Sequence, residues 1–236
     1  MVGTPFASWR YLSRTTEIRR EDSSCLWPVE GFPDEECQHA GDRSTLQRAS
    51  AGSGAAFRRR YAIRIERPLL SARELMSIIL NDPNVACPLE IARFERDETT
   101  SGDIEVGEEM RVRLPGPWNG PVRVVAISDN SFRLATLHGH MESGEIEFRA
   151  RDHDGEVLFE IESWVRSSSA TFDFLYDRLG IAQELQLDMW AFFLERVAQI
   201  SGGTATNGID VHTQRCEDHP YNQPSRLRRF LKIQST

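Results

Sequence analysis

Lysine is all but missing from this chain. Of its 28 basic residues every one is an arginine except Lys232. Schiff-base aldolases, pyridoxal enzymes, phosphate-loop NTPases and protein kinases all place a lysine amine in the site, so those classes are set aside. Also missing are a G-x-S-x-G nucleophile elbow, a dinucleotide glycine fingerprint and a phosphate loop. The four cysteines, Cys25, Cys37, Cys87 and Cys216, form no C-x-x-C pair, and no disulfide framework is expected from them. No apolar run approaches the ~18 residues of a membrane span. The first thirty residues hold Arg10, Arg14, Arg19 and Arg20 without the apolar stretch of about 7–15 residues that a secretory signal needs, which points to a cytoplasmic address. The net charge of −8 repels a phosphate backbone, so nucleic acid is not an expected partner.

What remains suits a globular protein: 236 residues, 39% hydrophobic and 27% charged, with a mean hydropathy of −0.45. That is one domain with extensions rather than two full domains. Residues 1–56 read as an N-terminal extension, with a polar linker rich in Gly, Ser, Asp and Arg over 34–56. A domain follows over 57–203, and 204–236 reads as a tail with one extra strand at 209–215.

Within the domain, Tyr61, Ile63 and Ile65 alternate with Ala62, Arg64 and Glu66, the period of a half-buried strand. Ser71 and Glu74 make a capping box for a short helix over 72–80, and a helical turn is expected at 84–86. Six extended segments come next, at about 89–96, 106–114, 121–128, 131–138, 144–151 and 155–166, separated by turn signals such as Asp129-Asn130 and Asp154-Gly155. Met110, Val112 and Leu114 take one face against Arg111 and Arg113. Ile146, Phe148 and Ala150 take it against Glu145, Glu147, Arg149 and Arg151, and Val157, Phe159 and Ile161 against Glu160 and Glu162. The charged set is expected to form a cross-strand ladder on the outer face. Over 171–200 apolar residues recur at steps of three and four, predicting one long amphipathic helix that Gly180 softens.

Strand, short helices, antiparallel strands and a long C-terminal helix is the order of the helix-grip fold of START lipid-transfer domains, birch-pollen-type allergens and aromatic polyketide cyclases. The expectation is therefore an α+β protein, a curved antiparallel sheet of about seven strands wrapped around the long helix. A closer resemblance lies between Trp118 and Arg166. Pro121, Arg123, Val124 and Val125 follow the tryptophan. Thr136, Leu137, Gly139, His140, Glu142, Gly144 and Glu145 come next, then Phe148, then Asp154, Gly155 and Val157, then Phe159 and Ile161. This resembles the bacterial family of domain of unknown function nineteen-ninety. The resemblance implies a helix-grip fold and supplies no established activity.

His138, His140 and Glu142 are the densest group of titratable side chains. Strand parity with Phe132, Leu134 and Thr136 turns His138 inward, where it would serve as a base with Glu142 setting its tautomer. On the other reading His140 and Glu142 tie down a turn. Trp118, Thr136, Trp164, Tyr176, Trp190 and Phe193 are the candidates to line a cavity between sheet and helix and to stack on a ligand, or else to fill the core. His212, Cys216 and His219 imitate metal spacing but lie in polar segments without a tight four-ligand pattern, so neither a metal nor another cofactor is expected. Three functions stay open: binding of a small hydrophobic molecule, a cofactor-independent cyclase, isomerase or hydrolase acting on such a molecule, and a partner-binding adaptor with a filled core. Monomer and dimer are equally open.

Overall fold

Alternation of apolar and charged side chains draws most of this molecule into one sheet. The computed structural model describes residues 16–27, 45–96, 102–114, 119–168 and 181–218. Nine strands follow in chain order: β1 (Ile18–Trp27), β2 (Ser53–Glu66), β3 (Arg93–Arg96), β4 (Glu109–Arg113), β5 (Asn119–Ile127), β6 (Ser131–Thr136), β7 (Glu142–His153), β8 (Glu156–Ser167) and β9 (Thr204–Asp218). In space their order is β1-β9-β2-β8-β7-β6-β5-β4-β3. All neighbours are antiparallel except β1 and β9, which run parallel.

The sheet is therefore mixed and larger than the seven antiparallel strands expected. The additions come from outside 57–203. The segment 18–27 is too charged to announce a strand, and β9 is twice the length that its apolar residues suggest. Both are held by pairing. Ile18 to Trp27 lie in register with Ile209 to Asp218, and Arg19 donates to Asp210 at 2.8 Å. A disulfide joins Cys25 to Cys216 across that register, where no disulfide framework was expected, and takes Cys216 out of any metal set.

Among the described residues, two α-helices complete the fold. In α1 (Ala72–Asn81) the capping box forms as the sequence implies, with the Glu74 amide donating to Ser71 Oγ and the Ser71 amide to Glu74 Oε2. The described part of the long amphipathic segment is α2 (Ile181–Ile200), and residues 171–180 lie outside the described residues. No helix among the described residues is long and apolar enough to cross a membrane.

One face of the sheet holds the core. Phe148 stacks on Phe132 with centroids 4.7 Å apart, and takes the edge of Trp190 and the tilted ring of Phe193 at 5.6 Å each. Ile63, Ile65, Phe159, Ile161, Leu194 and Val197 are fully buried around them. On the opposite face the expected ladder forms. Arg149 reaches Glu147 and Glu160 at 3.0 Å and Glu162 at 2.6 Å, while Arg58 reaches Glu162 at 2.7 Å. Burial alone would lower the Arg149 pKa, but Glu160 and Glu162 outweigh it and hold the guanidinium firmly charged.

The second half of the expected linker also packs. Leu46 joins Val125, Ala135 and Leu137 in a small apolar cluster apart from the main core. Backbone bonds from Gln47 N to Thr136 O and from His138 N to Thr45 O continue the sheet there. One leucine and a few ladder bonds suffice to order an otherwise polar segment, while residues 34–44 lie outside the described residues.

Two stability measurements follow. Phe148→Ala should cost about 3–5 kcal/mol in urea denaturation, since a fully buried ring at the centre of the aromatic group leaves a cavity. Reduction should lower the midpoint of the native protein, because the bond closes a separation of 191 residues, worth up to about 5 kcal/mol in chain entropy. The Cys25→Ser variant should already sit at the lower midpoint and ignore the reductant.

Candidate functional site

Residues on β2 that point to the core side are, in order, Ile65, Ile63, Tyr61, Arg59 and Phe57. The first three belong to the apolar core. Then the same parity that buries Ile63 brings a guanidinium inward. The neighbours change character at the same level. On β9, Ile209 and Val211 give way to Thr213 and Arg215, paired with Arg59 and Phe57 respectively. On β1, Arg20, Asp22 and Ser24 stand in register with Val211, Thr213 and Arg215. Three adjacent strands thus turn polar at one end of the sheet. There, beside Glu184 and Leu187 of α2, lies a cavity of about 520 Å³.

The cavity has an apolar part and a charged part. Leu187 and Val211 are apolar wall, and two guanidiniums lie over the Phe57 ring, Arg59 at 4.5 Å and Arg215 at 5.6 Å from its centroid. Arg59 is buried, at 4% exposure, and donates from Nη1 to Gln186 Oε1 at 3.1 Å, with Glu142 Oε1 at 3.9 Å. Arg20 grips Glu184 with both fork nitrogens, at 2.9 and 3.0 Å, tying β1 to α2. That bond holds the Glu184 carboxyl below its ordinary pKa. Burial pushes the Tyr61 hydroxyl up to about 12, with Arg59 pulling it down and Glu142 up, so the phenol stays protonated and able to donate at neutral pH.

The residues singled out from the sequence are scattered by comparison. Strand β6 ends at Thr136, and a turn with Gly139 at φ 98° follows, so the parity that would carry His138 inward stops two residues short. His138 is exposed, a correction to its expected inward placement. His140 is half-buried in that turn. Its Nδ1 accepts from the Glu142 amide at 2.9 Å, and its ring lies so close to Gly120 that a Cβ there would stand 2.7 Å from Nε2. Burial lowers the His140 pKa, partly offset by the Glu142 carboxylate and backbone. Thr136 is buried at the same turn, donating to Gln47 O at 2.9 Å and accepting from Gly144 N at 3.0 Å.

Trp190 and Phe193 are packed into the aromatic core. Trp164 is in register with Glu145 and under the Arg133 guanidinium, on the opposite face of the sheet from Trp190, so the two do not line one cavity as expected. Trp118 and Tyr176 lie outside the described residues. Among the described expected residues, Glu142 comes near the cavity, through Arg59.

Arg59 was legible in principle. Counting the alternation of Tyr61, Ile63 and Ile65 back by one step through Arg58-Arg59-Arg60 places Arg59 on the core face. The contributions of Arg20 and Arg215 depend on a parallel pairing that no local pattern announces.

The lowered pKa of His140 has a measurable consequence. A histidine titrating lower when folded than when unfolded lets the unfolded chain bind more protons, so its contribution is present above about pH 6.5 and is lost as pH falls through its lowered folded value. Urea midpoints at pH 7.5 and 5.5 should therefore differ less in His140→Asn than in the native protein.

No curated protein matches the chain. Solved structures resemble it at low identity. Hypothetical protein jhp0584 from Helicobacter pylori is 9% identical with a TM-score of 0.45, covering 60% of this chain and 86% of its own. The Zhui aromatase/cyclase from Streptomyces sp. R1128 is 12% identical with a TM-score of 0.45, covering 62% and 94%. A conserved protein from Geobacillus kaustophilus is 13% identical with a TM-score of 0.40, covering 62% and 97%. Likeness at this level says nothing of activity. A family model described as "Domain of unknown function (DUF1990)" matches residues 89–191. Over those residues the chain carries that family's pattern, as the motif between Trp118 and Arg166 implies.

Proposed function

We propose that this chain is a helix-grip protein that binds a small molecule with an apolar body in the cavity between α2 and strands β1, β2 and β9. The folded unit in this reading runs from β1 to β9. The observation that carries it is the cavity itself, whose volume of about 520 Å³ falls in the ~300–1,000 Å³ range of small-molecule sites. Its combination of apolar wall, phenyl ring and convergent polar groups is what such sites use to hold and orient a ligand. A filled-core adaptor would need no such space. Proton-transfer chemistry through His138, His140 and Glu142 draws less support, since His138 is exposed and His140 Nδ1 is engaged by the Glu142 amide.

The test is a fluorescence titration with Nile red, a neutral apolar dye. Saturable one-to-one binding near a micromolar Kd, about −8 kcal/mol, is expected. Thr213→Trp, which fills the cavity from the half-buried middle of β9, should abolish it while leaving the circular dichroism spectrum intact. Undiminished binding in that variant would place the dye elsewhere and overturn the reading.

A further inference from the structure

We propose that the Cys25–Cys216 bond is a redox latch on the cavity: a dithiol reductant opens it, β1 leaves the sheet edge, and the cavity loses a wall it needs to hold a ligand. This rests on the ligand-binding reading above and adds its regulation.

Apart from the bond, β1 has weak attachments. None of residues 18–26 is fully buried, and six of the nine are exposed. Ile18 packs against the core from a half-buried position. The ion pairs Arg19–Asp210 and Arg20–Glu184 are about half exposed on both sides, where water and salt screen them. A segment that buries so little apolar surface is the kind that opens locally while the rest of a fold stays intact. Strand β9 differs. Its other edge is paired with β2, and it buries Ile209, Val211 and Cys216, so it keeps its place when β1 leaves. While the disulfide stands, Cys25 cannot part from Cys216, and any opened pairing re-forms around it.

Position connects the bond to the cavity. Ser24 and Arg215, the residues before the two cysteines, both line it, and β1 adds Arg20, Asp22 and Ser23. Because Arg20 also grips Glu184 of α2, a freed β1 withdraws one side of the cavity and its tie to the helix together. The half-burial of Cys25 against the full burial of Cys216 sets the point of attack. A thiolate of the reductant displaces Cys216 from the Cys25 sulfur, and the Cys216 thiolate takes a proton. The second thiol of the reductant then displaces Cys25, leaving the reductant as its disulfide and the protein with two thiols, a transfer of two electrons and two protons. Cys87, buried and with its thiol pushed up to about 12, is a poor competitor for that exchange.

The test compares the oxidised full chain with the same protein in dithiothreitol, by hydrogen–deuterium exchange and by Nile red titration. Reduction should speed exchange over residues 18–27 at least tenfold, leave 156–167 of β8 unchanged, and raise the Nile red Kd at least tenfold. Cys25→Ser should show the reduced values with or without dithiothreitol. Should that variant fail to fold, the two states of the native chain carry the comparison. Unchanged exchange over 18–27 after complete reduction would overturn the latch, and so would an equal rise over 156–167, which would make the bond a staple of the whole fold. Release of β1 with undiminished dye binding would overturn control of the cavity while leaving the binding reading standing. Dye binding in neither state would overturn both.

Discussion

The alternation of β2 between two partner strands is the constraint on which the rest of this structure depends. Residues 57–63 of its fourteen pair along one edge with β8 and along the other with β9. Every second residue must therefore face the same side as α2, whatever its chemistry. Over Tyr61, Ile63 and Ile65 that obligation is favourable and yields core. At Arg59 it places a long cationic side chain where an aliphatic one would be expected. Burying a lone charge is costly, so its surroundings must be polar: Gln186 from α2, Glu142 from β7 and the face of Phe57 all gather around it. A sheet end that would otherwise close against the helix becomes a partly polar cavity.

Strand β1 has the opposite character. It gains little from its own sequence and exists by attachment. Backbone pairing to β9, the ion pairs Arg19–Asp210 and Arg20–Glu184, and the Cys25–Cys216 bond together hold it at the sheet edge. It supplies one wall of the cavity, including Arg20 and Asp22. The disulfide joins the first and last strands of the described chain, next to the cavity-lining residues Ser24 and Arg215.

The residues matching the family model, 89–191, contain the core strands β7 and β8 and most of the aromatic group. They contain Glu184 and Leu187 of the cavity but not Arg20, Phe57, Arg59, Tyr61, Thr213 or Arg215. The matched residues thus carry much of the core, while most of the cavity lining lies in the segments that flank them. His140 and Gly120, both within the match, illustrate the difference. The ring against a bare glycine and the amide bond to Nδ1 shape a turn, which is a packing duty.

Local pattern alone determined the interior: period-2 alternation identified β3 to β8, the capping box identified α1, and the outer charge ladder followed from parity, because each depends on residues a few positions apart. Tertiary structure decided what joins distant segments. The parallel pairing of residues 18–27 with 209–218, the cysteine bond between them and the convergence of Arg20, Arg59 and Arg215 on one cavity involve separations of up to 191 residues, over which no periodicity operates. His138 shows the same limit on a small scale. Parity places it inward only while the strand lasts, and the strand stops at Thr136 because the turn through Gly139 leaves the extended conformation. Backbone geometry decides where a periodic rule ends, and with it which side chains reach a site.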